Sequence, residues 1–344
     1  QKALDDIGAT ESAGTDFSLK VLPEHFERGV ALLAGNELHP ALPPKAFNIV
    51  RTQTAASLTG EIQSPRFLAS QAVKEGLFPK TDPSLRYATP KSVAALTLED
   101  VKHYYSSVFR PDMTTIVVIG KVTPEEARRV VGKYFEGWGA RGPKPDTVLP
   151  AVPNNKPSYL TVPDVSRVQD EAVMAQTLRL KRTDPDYYPL ELGNNVLGGA
   201  FYATKLYRDL RERTGLVYFV DSELDAGEQR SVYLVVFACD PDKVSRASAI
   251  VLRDLGQMQK TLVPKDQLEQ TKALVLRKIP LSQSSIGQIA GGFLDRVDHN
   301  LPLDEPVRAA KIYERLTASD IRHAFSKWIR PDDMVQVIRG PTPK

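Results

Sequence analysis

The sequence contains a single cysteine in 344 residues, Cys239. One thiol excludes an intrachain disulfide and argues strongly against a thiolate metal site, which takes two or more cysteines. Cys239 ends an apolar run, residues 232–239, whose β-branched and aromatic side chains are typical of a buried strand. We therefore expect it to be a small, buried hydrophobic residue.

Long apolar runs and concentrated charge are also missing. The run at residues 232–239 is the longest, and it is far shorter than the ~20 residues that a membrane-spanning helix needs. The net charge of +3 is small and gives no case for nucleic-acid binding, which usually requires a concentrated basic patch. The composition, 42% hydrophobic and 25% charged, is that of a globular protein, and the length suggests two domains.

Histidine is scarce, and no two histidines have the spacing of a zinc site. None of the five forms an HxxxH or HxxEH pair, so no helical zinc site is encoded. A nucleophile elbow, a phosphate-binding loop and a dinucleotide fingerprint are missing as well. The pair Gly198-Gly199 is interpreted as the end of a helix, and His299 as a residue near a helix C-terminus. On these grounds the chain has no self-contained active site.

A duplication with a constant offset organises the chain. Residues 96–120 (LTLEDVKHYYSSVFRPDMTTIVVIG) match residues 316–340 (LTASDIRHAFSKWIRPDDMVQVIRG) at an offset of 220 residues, with ten of 25 positions identical. Chance would give about one or two identities at ordinary composition. One fold unit therefore occurs twice. His103 and His323 are equivalent positions in it, which favours a structural role for both.

A proline-rich stretch marks the boundary between the copies. Residues 137–157 (GWGARGPKPDTVLPAVPNNKP) contain five prolines and little apolar pattern, as expected of an extended, stiff linker. We predict a first domain over residues 1–136, truncated at its N-terminus and with a degenerate metal site. A second domain is predicted over residues 158–344.

Each copy has the pattern of an α+β domain, with a mostly antiparallel or mixed sheet covered by helices on one face. Strands are predicted in the second copy over residues 171–180 and 230–239. The predicted helices of that copy cover residues 185–197, 202–213, 241–260 and 264–278, several with proline near the start, where a missing N–H costs nothing.

The repeated segment predicts the same ending for both copies. A helix follows an N-cap at Thr97 or Thr317, and an Arg-Pro-Asp sequence stops it. A strand is then predicted over residues 114–119 in the first copy and residues 334–338 in the second.

Residues 197–224 (LGGAFYATKLYRDLRERTGLVYFVDSEL) resemble the C-terminal domain of the pitrilysin/insulinase family of zinc metallopeptidases. The family includes the mitochondrial processing peptidase and the core subunits of the cytochrome bc1 complex. Residues 15–60 resemble the latter part of its N-terminal domain, and the repeated closing segment matches the end of both family domains, so the resemblance covers nearly the whole chain. It implies two homologous α+β domains, in agreement with the duplication.

The resemblance also implies that this chain binds no metal. Zinc-binding members carry HxxEH on an early helix of the first domain and a further Glu ligand downstream. The chain begins after the position where HxxEH would lie. The downstream Glu should fall within residues 44–58 (PKAFNIVRTQTAASL), which contain no carboxylate. Zinc is therefore expected in a partner subunit.

The family's second domain contributes an Arg and a Tyr in a segment similar to LRxxxGLxY, and here these are Arg211 and Tyr218. The resemblance implies that the pair faces the zinc site across a cavity and hydrogen-bonds substrate carbonyls near the scissile bond. A guanidinium and a phenol are suited to this task. Donors aimed at a developing oxyanion supply about 3–4 kcal/mol of transition-state stabilisation. Without the resemblance, Arg211 would be interpreted as a solvated helix charge and Tyr218 as a strand aromatic.

Together these features imply the non-zinc-binding subunit of a heterodimeric peptidase that cleaves peptides or unfolded polypeptides in a closed chamber. A homologous HxxEH-bearing chain would supply the zinc and the general-base Glu. Two alternatives stay open, a catalytically silent core-type scaffold and a single-chain peptidase whose HxxEH segment lies outside this sequence. An adjacent reading frame encoding an HxxEH homologue would favour the first hypothesis. Bacterial relatives are often exported, so the periplasm is favoured over the cytoplasm.

Overall fold

The computed structural model describes residues 1–200, 203–341 and 343. These residues form thirteen α-helices, a π-helix (Tyr207–Glu212) and seven strands. The helices are α1 (Lys2–Asp5), α2 (Phe26–Leu38), α3 (Pro44–Glu61), α4 (Pro65–Leu77), α5 (Pro90–Ala94), α6 (Leu98–Val108), α7 (Pro124–Phe135), α8 (Tyr187–Leu197), α9 (Val244–Lys260), α10 (Lys265–Leu281), α11 (Ile286–Asp298), α12 (Glu305–Arg315) and α13 (Ala318–Trp328). The strands are β1 (Thr10–Ala13), β2 (Phe17–Lys20), β3 (Ser158–Pro163), β4 (Asp170–Leu178), β5 (Val217–Ala226), β6 (Ser231–Cys239) and β7 (Val335–Gly340).

The chain divides into two compact units. The first comprises residues 1–57, 89–146 and 285–294, and the second comprises residues 58–88, 147–284 and 295–344. The domain boundaries predicted above follow the repeat along the sequence, whereas these units follow contacts in space. Residues 58–88 precede the linker in sequence but belong to the second unit by their contacts. The two units therefore do not test the predicted boundaries, which remain a prediction.

The first unit is mainly helical. Its strands β1 and β2 form a short antiparallel hairpin, and α2, α6 and α7 are its longer complete helices. Glu27 on α2 accepts hydrogen bonds from Arg129 (3.1 Å) and Lys133 (2.6 Å), both on α7. These contacts join two helices that are distant in sequence.

A mixed five-stranded sheet forms the centre of the second unit. The strand order is β3-β7-β4-β6-β5, and β3 runs parallel to β7 while the other neighbours are antiparallel. The predicted strands at residues 171–180 and 230–239 are confirmed as β4 and β6, with ends that shift by one or two residues. The α+β class is therefore confirmed. The strand β5 lies at one edge of this sheet.

The main core lies between one face of the sheet and the helices α8, α9 and α13. Alternate residues of β6 point into it, among them Tyr233, Phe237 and Cys239, and all three are fully buried. The burial predicted for Cys239 is confirmed. These side chains pack with apolar residues of the helices such as Leu255 and Phe325.

Part of the opposite face is also covered, which corrects the expectation of helices on one face. Leu77 of α4 packs there with Ala175, Val335 and Val337 in a smaller apolar cluster. After α4 the chain is tied to the sheet by Arg230. Sequence pattern could not reveal this packing, because α4 comes from a distant part of the chain.

The buried Arg230 fixes the segment that follows α4. Its guanidinium donates to Asp82 (2.5 Å) and to the Ser84 hydroxyl (2.6 Å), and it lies over the Phe78 ring at 4.8 Å from the centroid. The Arg230 hydrogen bond and the Ser84 N–H hold the pKa of Asp82 below its ordinary value, although burial alone would raise it. The pair therefore keeps its charges in a buried position.

The repeated segment has the same local structure in both copies up to its last element. Thr97 and Thr317 each cap the following helix through a reciprocal hydrogen bond with an Asp three residues later, which confirms both predicted N-caps. Residues 335–340 then form β7, but the strand predicted at residues 114–119 is wrong. The physical reason is that β7 lies between β3 and β4, whereas the described residues place no strand beside residues 114–119.

No helix in the described ranges is both long enough and apolar enough to cross a membrane.

Gly193 of α8 allows close packing against α13, and its replacement tests this contact. A Cβ there would lie 2.4 Å from Phe325 Cε2 and 2.7 Å from Ile321 Cγ2. We expect Gly193→Ala to lower the free energy of unfolding by about 1–3 kcal/mol, because the core must shift to admit the methyl group. Urea denaturation of the full chain measures the change.

Gly256→Ala is the matched control. Gly256 lies inside α9, and an added Cβ there would meet no described atom within 4 Å other than its chain neighbours and the local helix backbone. This change should raise the free energy of unfolding by about 0.5–1 kcal/mol through helix propensity. Equal effects of the two substitutions would contradict the packing account.

Candidate functional site

Arg211 and Tyr218 lie on either side of a tight turn. Arg211 belongs to the π-helix, and Tyr218 is the second residue of β5. Gly215 has φ of +59°, a left-handed conformation that glycine adopts without strain. Its N–H donates to the carbonyl of Arg211 (3.0 Å), and the next N–H, of Leu216, donates to the carbonyl of Leu210 (2.9 Å). The chain therefore reverses here and brings residues seven positions apart into contact.

The two side chains contact each other directly. Arg211 Nη1 donates to the carbonyl oxygens of Tyr218 (2.9 Å) and Val217 (3.3 Å). The guanidinium carbon lies 4.7 Å from the centroid of the Tyr218 ring, and such a contact contributes about 0.5–1 kcal/mol at an exposed site. In the part of the chain that the structure describes, no acceptor meets Arg211 Nε or Nη2, and the Tyr218 hydroxyl has no partner. The pair is held in place and still presents donors to a ligand.

A β-bulge turns Tyr218 outward. Val217 pairs with Cys239 and Phe219 pairs with Ala238, so Tyr218 is the extra residue of β5. An extra residue re-aims a side chain at the end of a strand. Tyr218 is 72% exposed, whereas Val217 is 4% exposed. Simple alternation along the strand would not have predicted two successive exposed aromatic residues, Tyr218 and Phe219.

A buried polar network fixes β5 beyond the bulge. Asn194 of α8 accepts hydrogen bonds at Oδ1 from the hydroxyls of Ser222 (2.7 Å) and Tyr233 (2.9 Å). Its Nδ2 donates to the carbonyl of Ser222 (3.2 Å). All three side chains are buried. Since the network joins α8, β5 and β6, it sets the position of the strand that carries Tyr218.

The Gly198-Gly199 pair follows α8 at the same place. The helix ends at Leu197 as predicted, but Gly198 has φ of −157° and so is not a left-handed cap. Instead, a Cβ at Gly198 would lie 2.5 Å from Ser222 Oγ, and one at Gly199 would lie 2.5 Å from Asn194 Nδ2. The pair is glycine because the backbone passes close to the buried network. The predicted helix over residues 202–213 begins at Tyr202, which lies outside the described residues.

Two carboxylates near the site have perturbed acidity. Burial raises the pKa of Asp221, three residues after Tyr218, against the opposing effects of the Ser222 N–H and the Lys278 ammonium. Burial raises the pKa of Glu191 on α8 to about 7, although the Asn195 amide and Lys278 favour its ionised form. Both groups therefore hold a proton more readily than a solvated carboxylate does.

The outer surface of β5 is exposed and carries both aromatic and acidic side chains. At the end of the strand distant from Tyr218 lies a cavity of about 690 Å³. Apolar residues such as Phe78 and Leu234 line one part of it, and the carboxylates of Glu223 and Asp225 line another. The space is large enough for several residues of an extended peptide.

Histidines and carboxylates of this chain do not fit a zinc site. His103 and His323 are exposed on α6 and α13, and His299 directly follows α11 as predicted, with its Nδ1 at 2.8 Å from the carbonyl of Asp295. Within the described residues, no three His, Cys, Asp or Glu side chains come together as metal ligands. Residues 44–58 lie on α3, whose first carboxylate is Glu61, in its last turn.

A charge cluster built around two buried carboxylates joins the π-helix to α9, and sequence reasoning did not single it out. It consists of Lys205, Asp209, Arg213, Arg253 and Asp254. Asp209 accepts from Arg253 (2.6 Å) and Arg213 (3.0 Å). Asp254 accepts from Arg253 (2.8 Å), and Lys205 Nζ lies 3.5 Å from it. The two carboxylates are 5% and 0% exposed, respectively.

One signal in the sequence could have found this cluster. Asp254 stands at helical spacing with Ala247, Val251 and Met258, which form the apolar face of α9. A charged residue on such a face must be buried and paired. The partner on the π-helix could not have been identified, because it depends on the packing of α9.

Comparison with known proteins finds a family model and curated relatives that both belong to metallopeptidase-type proteins. Residues 95–275, more than half of the chain, match the family model described as "Peptidase M16 inactive domain". The chain is 24% identical over 269 residues to the Bacillus subtilis protein named "Probable inactive metalloprotease YmfF". That alignment covers 74% of this chain and 60% of the relative, so the chain spans somewhat under two thirds of that protein's length.

Solved structures share the fold. The peptidase M16 inactive domain from Pseudomonas fluorescens superposes with a TM-score of 0.86 at 23% identity, over 100% of this chain and 84% of that chain. The periplasmic protease PqqL from Escherichia coli gives a TM-score of 0.82 at 15% identity, over 99% of this chain and 38% of that one. These likenesses show a common architecture.

The buried network at Asn194 can be tested by a graded pair of substitutions. Tyr233→Phe removes one hydrogen bond and should lower the free energy of unfolding by about 1 kcal/mol. Asn194→Ala leaves the buried hydroxyls of Ser222 and Tyr233 without their acceptor and should cost about 2–4 kcal/mol. Urea denaturation distinguishes the two. An Asn194→Ala cost no larger than that of Tyr233→Phe would contradict the network's role.

Proposed function

The chain belongs to the M16 peptidase family, through the domain type described as inactive, and from this premise we propose that it is the zinc-free subunit of a heterodimeric zinc metallopeptidase. A homologous partner would carry HxxEH, the zinc and the general-base Glu. The observation that carries the proposal is the Arg211–Tyr218 pair, ordered by its own contacts and still presenting free donors.

Arg211 and Tyr218 would act on the peptide backbone of the substrate. The guanidinium retains N–H groups at Nε and Nη2, and the Tyr218 hydroxyl adds another donor. Both are aimed by the turn at Gly215 and the bulge at Tyr218, so they need little reorganisation when the substrate binds. Preorganised donors stabilise the negative charge that develops on a carbonyl oxygen during peptide cleavage.

A polypeptide is the substrate class that the surroundings support. The outer surface of β5 continues from Tyr218 to the cavity of about 690 Å³. Its exposed residues are aromatic near the turn, Tyr218 and Phe219, and acidic towards the cavity, Glu223 and Asp225. A small molecule would need a closed pocket that buries most of its surface, whereas an extended chain can lie along an open strand.

The metal is assigned to a partner because this chain's residues do not fit the ligand set. Residues 44–58 provide no carboxylate, and no helix carries a histidine pair at zinc-binding spacing. Family membership as an inactive domain supports the same assignment. The Escherichia coli neighbour is described as a periplasmic protease, which supports the periplasm as the proposed location.

A second candidate function is an assembly subunit without chemistry. The name of the Bacillus subtilis relative, an inactive metalloprotease, favours it. A scaffold would have no need for free donors at Arg211 and Tyr218, and substitution of these residues therefore separates the two functions. A single-chain peptidase would require the ligands that residues 44–58 lack.

The test uses the complex of this chain with an HxxEH-bearing homologue from the same organism. Arg211→Ala and Tyr218→Phe should each lower kcat/KM on a quenched fluorescent peptide by about 10- to 1,000-fold, because each removes a donor to the developing charge. The heterodimer should elute unchanged in size-exclusion chromatography.

Two exposed residues on helices serve as controls. Arg246→Ala on α9 and Tyr104→Phe on α6 make the same chemical changes on other elements and should leave turnover as it is. Unaltered cleavage by both Arg211→Ala and Tyr218→Phe would refute the peptidase role and leave the assembly function.

A further inference from the structure

We infer that Asp209 and Asp254, bridged by Arg253, are positioning residues that hold the π-helix so that Arg211 lies over Tyr218. This inference rests on the function proposed above and extends it to the charge cluster around Asp209 and Asp254. Neither aspartate contacts the substrate side of the site. Both would act through the orientation of Arg211.

The helix that carries Arg211 needs external support. The Arg213 N–H donates to the carbonyl of Arg208, five residues earlier (2.9 Å). This spacing defines a π-helix, whereas an α-helix bonds residues four apart. One extra residue in a turn rotates the following side chains by about 100° relative to a continued α-helix. Such turns are rare and recur at functional sites. The direction of Arg211 therefore depends on whatever stabilises this turn.

Asp209 connects the π-helix to its surroundings through both its side chain and its backbone carbonyl. Its side chain accepts from Arg213 on the same helix end and from Arg253 on α9. Its carbonyl accepts from the Thr214 hydroxyl (3.0 Å) in the turn before β5. Asp209 lies two residues before Arg211, so its attachment to α9 fixes the rotation of the helix that carries the guanidinium.

The cluster is poorly explained by stability alone. Buried ion pairs lose their hydration, and apolar replacements of similar volume are often neutral or stabilising. Asp254 is fully buried, and among the described residues its Oδ2 has no hydrogen-bond partner. Burial and the nearby Asp209 raise the pKa of Asp254, although Arg253 and Lys205 favour its ionised form. The burial of Asp254 at this energetic cost is consistent with a role in fixing the orientation of the π-helix.

The charge balance shows how the turn would move if Asp209 were neutral. Three cations, Lys205, Arg213 and Arg253, surround two carboxylates. Neutral Asp209 would leave those cations with Asp254 alone. Arg213, which lies between the π-helix and Gly215 and whose side chain is 67% exposed, would lose its ion pair with Asp209 and no longer hold the end of the helix. Arg211 would then leave its position over the Tyr218 ring.

A double-mutant cycle in the heterodimer tests this inference. Asp209→Asn should lower kcat on the quenched peptide by roughly 10-fold or more with a smaller change in KM, because a small misplacement of a transition-state donor is costly. In the Arg211→Ala background, the same substitution should change kcat/KM by less than about 2-fold. A role that passes through Arg211 requires this loss of effect.

Three further variants complete the design. Glu212→Gln changes the exposed acid of the same π-helix and should have no effect. Asp209→Glu keeps the charge and should restore part of the activity. If Asp209→Asn does not fold, Arg253→Gln replaces it in the cycle, since the Arg253 side chain is 48% exposed and its loss separates Asp209 from Asp254.

The outcomes separate the inference from the function on which it rests. If Arg211→Ala slows cleavage and Asp209→Asn does not, the positioning role is overturned and the proposed function stands. Equal losses from Asp209→Asn with and without Arg211 also overturn the positioning role. If only Arg211→Ala has no effect, the positioning role is overturned. If neither Arg211→Ala nor Tyr218→Phe has an effect, both proposals fail.

Discussion

The reversal of the chain at Gly215 is the constraint on which the candidate site depends. It joins a helix that carries the buried Asp209 to a strand whose first aromatic residue is exposed. A residue with a Cβ would be strained at the positive φ of this position. A shift of the turn would carry Arg211 away from the carbonyls of Val217 and Tyr218, with which it hydrogen-bonds. The bulge at Tyr218 and the network at Asn194 fix the other side of the turn.

The polar groups around the turn are of two kinds. Arg211 is partly exposed and Tyr218 is exposed, and both keep donors that meet no acceptor among the described residues, whereas Asp209 and Asp254 are buried beside several cations. Buried ions are rigid because their partners leave them few alternative positions, and surface donors are able to meet a substrate. This arrangement suits a subunit that contributes binding geometry and leaves metal chemistry to a partner. The inactive-domain family match and the carboxylate-free residues 44–58 fit the same division.

Local signals in the sequence were sufficient for much of the fold. The caps at Thr97 and Thr317, and the strands β4 and β6, follow from side chains close in sequence. The failed strand at residues 114–119 shows the limit, because a strand needs a neighbour and pairing is not local. The π-helix and the bulge at Tyr218 each add one residue to a regular element. Such insertions depend on tertiary contacts, here Asp209 with Arg253 and Asn194 with Ser222, so periodicity alone could not predict them.

The most direct test of the account is peptide cleavage by this chain alone, by an HxxEH-bearing homologue from the same organism, and by their equimolar mixture, with zinc measured in each protein. The account predicts cleavage by the mixture, little by either protein alone, and stoichiometric zinc in the HxxEH homologue. Equal activity of the homologue alone and of the mixture would contradict it, and so would stoichiometric zinc in this chain.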